Sequence, residues 1–125
     1  MSLTIVSPST VPAPGGQYST AVVAGNTVYL AGQVGIDPET GVLADSLEGQ
    51  VRQALTNFVA VLEAAGSAPE LVVKTLCFLT DTANFATFNA VYTEFFPDAP
   101  PARSTVGVAL AGDLLFEIEG IALRR

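Results

Sequence analysis

The segment that most restricts the fold runs from Ser46 to Gly66. Leu47, Val51, Leu55, Phe58 and Leu62 recur there at spacings of three or four, while Gln50, Gln53, Asn57 and Glu63 fall elsewhere, the pattern of a helix that is apolar along one stripe. Asp45-x-x-Glu48 has the form of a capping box, so the helix is predicted to start at Ser46, and Gly66 supplies a left-handed stop behind it. Such a helix is stable only when its stripe is buried against another layer. The rest of the chain offers short β-prone runs, and a helix lying on a sheet is the frame in which they are read.

Pro8, Pro12, Pro14, Gly15 and Gly16 predict an irregular loop over residues 7–17. Ser19–Ala24 and Thr27–Ala31 read as strands joined by Gly25-Asn26 in a hairpin, and a short strand is expected near Thr4–Ser7. After the dense turn signal Asp37-Pro38-Glu39-Thr40-Gly41 comes the helix. Leu71–Leu79 is apolar at both alternating positions, the pattern of a central strand buried on both faces. Phe85, Phe88, Val91, Tyr92 and Phe95 return to helical spacing, predicting a second helix over Thr82–Phe96 with Asp81 as its cap and Pro97 as its end. Two further strands, Ser104–Leu110 and Leu114–Leu123, are separated by Ala111-Gly112-Asp113. The expected fold class is α+β, ordered β-β-α-β-α-β-β, in a single domain over residues 1–125 without repeat or linker.

The register of the last two strands follows from what each face must bury. Val106, Val108 and Leu110 make one apolar row, and Phe116 and Ile118 another. The two strands are expected to pair as a hairpin, and aligning the rows on one face requires a loop of three residues at 111–113 with Gly112 in the left-handed region. On that register Gly107 sits across from Glu117 and Thr105 across from Glu119. Arg103, Thr105 and Gly107 then share a face with Glu117, Glu119 and Ile121. Two helices cover one face of the sheet, and the second face is left so apolar that other copies of the chain are expected to cover it in a closed oligomer.

Composition narrows the chemistry. The 125 residues contain no histidine and one cysteine, Cys77, which excludes a Ser-His-Asp triad, a Cys-His pair and a His- or Cys-built metal site within one chain. Twelve acids against five bases give a net charge of -7, and without a cluster of Lys or Arg no nucleic-acid partner is expected. Half the residues are hydrophobic, yet no apolar run approaches the roughly 18 residues of a membrane span. The first residues lack a basic stretch followed by an apolar one, and a lone thiol makes no internal disulfide, so the chain reads as cytoplasmic. Carboxylates, arginine, hydroxyls and backbone amides remain.

Within that set Arg103 stands out, one of five cations, at the entrance of a strand just after Pro100-Pro101. A partly desolvated guanidinium needs an anion: either an interface carboxylate such as Glu117 or Glu119, or the carboxylate of a ligand. Glu117 and Glu119 point to the same side of their strand; partial burial among Phe116, Ile118 and Ile121 would raise at least one of their pKa values and make it a proton shuttle for a bound water. Otherwise they line a solvated edge. Cys77, between Leu76 and Phe78, reads as a core residue. Tyr18 could stack on a ligand or simply be half-buried; Asn89 would need a partner if buried; Gly32 permits close backbone approach or merely a turn.

Taken together the residues resemble a known family. Gly16-Gln17-Tyr18-Ser19, Ala31-Gly32-Gln33-Val34, Asp37-Pro38-Glu39-Thr40-Gly41, Val73-Lys74-Thr75, Phe88-Asn89-x-x-Tyr92-x-x-Phe95-Phe96, Pro101-Ala102-Arg103-Ser104 and Glu117-Ile118-Glu119-Gly120-Ile121-Ala122 are similar to segments of the RidA (YjgF-type) reactive intermediate deaminases, in order from about residue 14 to the C-terminus. The resemblance implies a chorismate-mutase-like mixed sheet with two helices on one face, a homotrimer with sites between subunits, and hydrolysis of amino-acid-derived enamines and imines such as 2-aminoacrylate to 2-keto acids and ammonia without cofactor or metal. It further implies that Arg103 binds the substrate carboxylate and Glu117 holds or activates the hydrolytic water. Tyr18, Asn89, Gly32 and Ala31 match pocket positions, and Thr105 stands where the family usually has a cysteine that contributes through its backbone. Ala31 replaces a serine, Gln17 a proline and Gly107 a glutamate, and the Arg103–Glu117 interval is one residue shorter than usual. These departures leave two alternatives: a non-catalytic module that binds small carboxylates or partners, and a divergent, pathway-specific hydrolase.

Overall fold

The computed structural model describes residues 2–125. Six strands and two α-helices are arranged as β1 (Leu3–Val6), β2 (Ala21–Ala24), β3 (Thr27–Gln33), α1 (Leu47–Ala64), β4 (Val72–Leu79), α2 (Phe85–Phe95), β5 (Ala102–Gly107) and β6 (Phe116–Leu123). They form one mixed sheet in the order β1-β2-β3-β6-β4-β5, antiparallel except for the parallel β4–β5 pair. The chain before β2 is irregular from Ser7 onward apart from local turns, as its prolines and glycines require.

Helix α1 is capped one residue later than the Asp45–Glu48 pattern predicts. Ser46 is the cap, and its hydroxyl accepts from the Gly49 N–H at 3.0 Å. Its end conforms to expectation: Gly66 has φ +79°, and the Ser67 and Gly66 N–H groups return to the Leu62 and Glu63 carbonyls at 2.8 and 3.1 Å, a Schellman closure. The second helical segment opens as a 3-10 turn, Thr82–Asn84, with the Asp81 carboxylate accepting from Ala83 N–H, and becomes α-helical only from Phe85.

The last two strands do not pair with each other. β5 lies parallel to β4 at the sheet edge, and β6 is inserted between β3 and β4. The expected hairpin fails because residues 108–115 cross the end of β4 instead of turning back, tied to it by Val108 N–H to the Leu79 carbonyl and Thr80 N–H to the Leu115 carbonyl at 2.9 and 3.3 Å. Gly112 is left-handed as predicted, at φ +55°, within this crossing. The cross-strand neighbours are therefore Phe78 for Glu117, Leu76 for Glu119, Cys77 for Thr105 and Leu79 for Gly107.

Both helices cover the same face. Val51, Leu55, Phe58, Val61 and Leu62 of α1 and Phe88, Val91 and Tyr92 of α2 are buried with Cys77, Leu79, Phe116, Ile118 and Ala122 of the sheet. β4 is thus buried on one face only in a single protomer, with Val73 exposed and Leu76 and Phe78 half-buried on the other. That open face also carries Leu3, Ile5, Tyr29, Val106 and Leu123, all exposed. Among the described residues no helix is long and apolar enough to cross a membrane.

The close approach of α1 to the sheet depends on Gly120. A Cβ there would fall 2.8 Å from both the Phe58 ring and the Lys74 carbonyl oxygen, and neither can yield without moving core or ladder. Gly120→Ala is expected to cost about 1–3 kcal/mol through overpacking, read as a lower urea midpoint with an unchanged m-value.

Candidate active site

Arg103 projects from β5 onto α2, because its register partner Thr75 belongs to the buried row of β4. Its Nη1 donates to Asn89 Oδ1 at 2.9 Å. The guanidinium carbon lies 4.6 Å from the Tyr92 ring centre, 5.1 Å from Phe88 and 5.5 Å from Phe85, distances at which aromatic faces attract a cation. The Tyr92 ring is itself held by a hydrogen bond of 2.8 Å between its hydroxyl and that of Thr75. Among the described residues no carboxylate forms an ion pair with Arg103; Arg52 pairs with Glu94 and Glu48, and Arg125 with Glu70. The cation is thus positioned, half-buried and left with unused donors. A hollow of about 390 Å³ opens beside it, bounded by Asn89, Tyr92, Pro100 and Pro101.

Glu117 lies on the opposite face, with Phe78 as its neighbour on β4. On the other side β3 bulges: Leu30 pairs with Gly120 and Gln33 with Ile118, so Ala31 and Gly32 together face a single residue of β6. Gly32 forms the bed on which the Glu117 carboxyl rests, since a Cβ there would collide with Oε2 and fall 2.8 Å from Cδ. Burial, and secondarily the nearby Glu119 charge, push the Glu117 pKa above the usual carboxylate range, as the sequence predicts for one member of this pair.

The remaining expected residues divide between these two places. Asn89 and Thr105 accompany Arg103, with Thr105 on the same face of β5. Gly32 accompanies Glu117, and Ala31 precedes Gly32 in the bulge opposite Glu119. Tyr18 is 53% exposed in the loop before β2, its hydroxyl accepting from Gly15 N–H at 3.2 Å; the Ala31 N–H bond to the Thr20 carbonyl at 2.9 Å ties this loop to the bulge. The sequence-derived register is corrected here: Arg103, Thr105 and Gly107 do not share a face with Glu117, Glu119 and Ile121, because β5 pairs with β4. A sheet separates Arg103 from Glu117 within one chain. Cys77 is a core residue, its thiol pushed up to about 12 by burial.

Sequence reasoning read Phe85, Phe88 and Tyr92 only as a helical stripe and did not assign them to the arginine. Their spacing before an Arg placed two residues after Pro101 carried the signal, but only the parallel β4–β5 pairing brings ring and cation together.

A family model described as Endoribonuclease L-PSP matches residues 9–124. The sequence is 44% identical to the 2-iminobutanoate/2-iminopropanoate deaminase of Salmonella typhimurium across the whole of both chains. It is 45% identical to a RutC family protein of Pyrococcus horikoshii over 90% of this chain and 91% of that one. Among solved structures, the YjgF gene product of E. coli superposes with a TM-score of 0.93 at 40% identity, covering 98% of this chain and 99% of that one. E. coli TdcF, crystallised with bound serine, gives 0.93 at 36% identity with the same coverage.

A raised carboxylate pKa means that the folded state disfavours the charged form, so Glu117 weakens folding above its unfolded pKa and this penalty fades as pH falls. Glu117→Gln is expected to raise Tm at pH 7, with the gain shrinking as the pH approaches the ordinary glutamate range. Equal Tm differences at pH 7 and pH 4 would contradict this reading of the site.

Proposed function

Since the chain belongs to the Endoribonuclease L-PSP (YjgF/RidA) family, we propose that it is a cofactor-free hydrolase of enamines and imines derived from amino acids, 2-aminoacrylate among them, acting in the cytoplasm as a homotrimer whose sites lie between subunits. The observation that carries this reading is the placement of Arg103 and Glu117 on opposite faces of one sheet. Each is prepared for chemistry, and neither can reach the other's substrate inside one protomer. A second copy seated on the open apolar face would bring its Arg103 edge towards the Glu117 bed and bury surface that a lone chain leaves wet.

In such a cleft Arg103 binds the substrate carboxylate through its unused N–H donors, while Asn89 and the three rings fix its direction. Thr105 lies alongside on the same strand face. The enamine tautomerises to the imine, whose C=N carbon is electrophilic. Water resting on Glu117, above Gly32 and beside Ala31, gives up a proton to the carboxylate as its oxygen adds to that carbon. That proton passes to nitrogen, giving the carbinolamine; its hydroxyl proton then follows to nitrogen by way of the carboxylate, and as the carbonyl forms the C–N bond breaks, releasing ammonia and the 2-keto acid. A pKa lifted by burial improves Glu117 as a base for this transfer. Tyr18, on its loop at the bulge, closes the cleft over the substrate.

The family description names an endoribonuclease, but a surface with net charge -7 and no basic cluster opposes phosphate binding. Ala31, which brings no hydroxyl to the Gly32–Glu117 bed, favours a second reading as a binding module for small carboxylates. Stabilisation by a 2-keto acid without turnover would identify that module.

With enzymatically generated 2-aminoacrylate, Arg103→Ala and Glu117→Ala are each expected to reduce hydrolysis about 100-fold or more. Refolding the two variants together in equal amounts should restore about one quarter of wild-type activity, because a quarter of randomly assembled clefts draw an intact residue from each side. Hydrolysis unaffected by either substitution would reject the deaminase reading. Full loss in each variant without recovery on mixing would reject the shared cleft.

A further inference from the structure

The spacing of apolar residues in α1 sets Gln50 and Asn57 off its buried stripe, but the structure buries both amides within it. Gln50 and Asn57 stand seven positions apart, hence on one side of the helix, and are only 2% and 1% exposed. Burying an amide costs free energy unless its polar atoms are matched. Gln50 Nε2 donates to the Ala44 and Asp113 carbonyls at 3.0 and 3.2 Å, and its Oε1 accepts from Leu115 N–H at 2.8 Å. Asn57 Nδ2 donates to the Val34 and Ile36 carbonyls at 3.1 and 2.9 Å, while its Oδ1 accepts from Gln53 Nε2 at 2.9 Å.

These bonds end at two particular places. Val34 follows the Ala31–Gly32 bulge, and Leu115 precedes Glu117 by two residues. Helix α1 therefore grips the chain just after β3 and just before β6, beyond the point where Gly32 meets the Glu117 carboxyl. The grip is tight on the β3 side, where a Cβ at Gly35 would fall 2.5 Å from the Gln50 Cα. On the β6 side, the crossing 108–115 is joined to β4 through Leu79 and Thr80 and to α1 through Gln50.

Resting on the reading of Glu117 as the residue that handles water, we propose that Gln50 and Asn57 are positioning residues, a clamp of two amides that holds the Gly32 bed against the Glu117 carboxyl and so fixes how far water reaches it. Among the described residues, the other titratable groups that the strands place on that face are Glu119 on the same strand, Lys74 on β4 and Tyr29 on β3. Neither substitution below changes them.

Gln50→Met keeps length and volume while losing all three bonds. Gln53→Ala removes only the support of Asn57 from a partly exposed position, and it decides the question if Gln50→Met does not fold. The Glu117 carboxyl is titrated by carbon-13 NMR in wild type and variants, alongside kcat and KM for imine hydrolysis. With the clamp loosened, water enters and the Glu117 midpoint should fall by roughly half a unit or more in Gln50→Met, and in the same direction in Gln53→Ala. The kcat should drop about tenfold with KM held within about twofold, because the Arg103 side is untouched. A midpoint unchanged in every variant that folds overturns the clamp, whatever happens to Tm. Turnover absent from wild type, or intact in Glu117→Ala, removes the deaminase reading instead, and the NMR shift then still decides the clamp by itself.

Discussion

The packing of the Phe58 ring onto bare backbone at Gly120 is the contact on which the rest of this molecule is built. It lets α1 approach the middle of the sheet closely, so that β6 with its buried row Phe116, Ile118 and Ala122 becomes the floor of the core. With β6 in the middle, β5 is displaced to an edge beside β4, and its arginine finds α2 rather than a carboxylate on the neighbouring strand.

The two faces of the sheet have opposite characters for the same reason. On the helical face, charge is tolerated only where rings and an amide hold it, as around Arg103. On the open face, Glu117 is desolvated by its neighbours without being neutralised, while Tyr29, Val106 and Leu123 remain exposed. A raised carboxylate and an uncovered apolar surface on one side are both costs in an isolated chain, and both are accounted for if a second copy settles there.

Local structure was largely legible in the sequence, because local rules decide it. The stripe of α1, the Gly66 stop, the β2–β3 hairpin and the left-handed Gly112 stand where spacing and turn chemistry place them. Strand pairing was not, and the reason is specific. Val106 and Val108 alternate as well in a strand parallel to β4 as in a hairpin with β6, and the hairpin is the shorter connection. Only the contact between distant segments, Leu79 with Val108 and Thr80 with Leu115, distinguishes them. The candidate residues Arg103, Asn89, Gly32 and Glu117 could be picked out one by one, but which of them are neighbours depends on that pairing. Tyr92 was hidden for another reason, since an aromatic at helical spacing looks the same whether it fills a core or faces a guanidinium.

The sheet between Arg103 and Glu117 has a consequence for the life of the chain. No rearrangement of side chains within a newly made protomer can bring those two groups to one small molecule, because several ångströms of hydrogen-bonded backbone stand in the way. Any joint action of the pair would need a second copy, and output per molecule would then depend on how crowded the chains are and not merely on how many are folded.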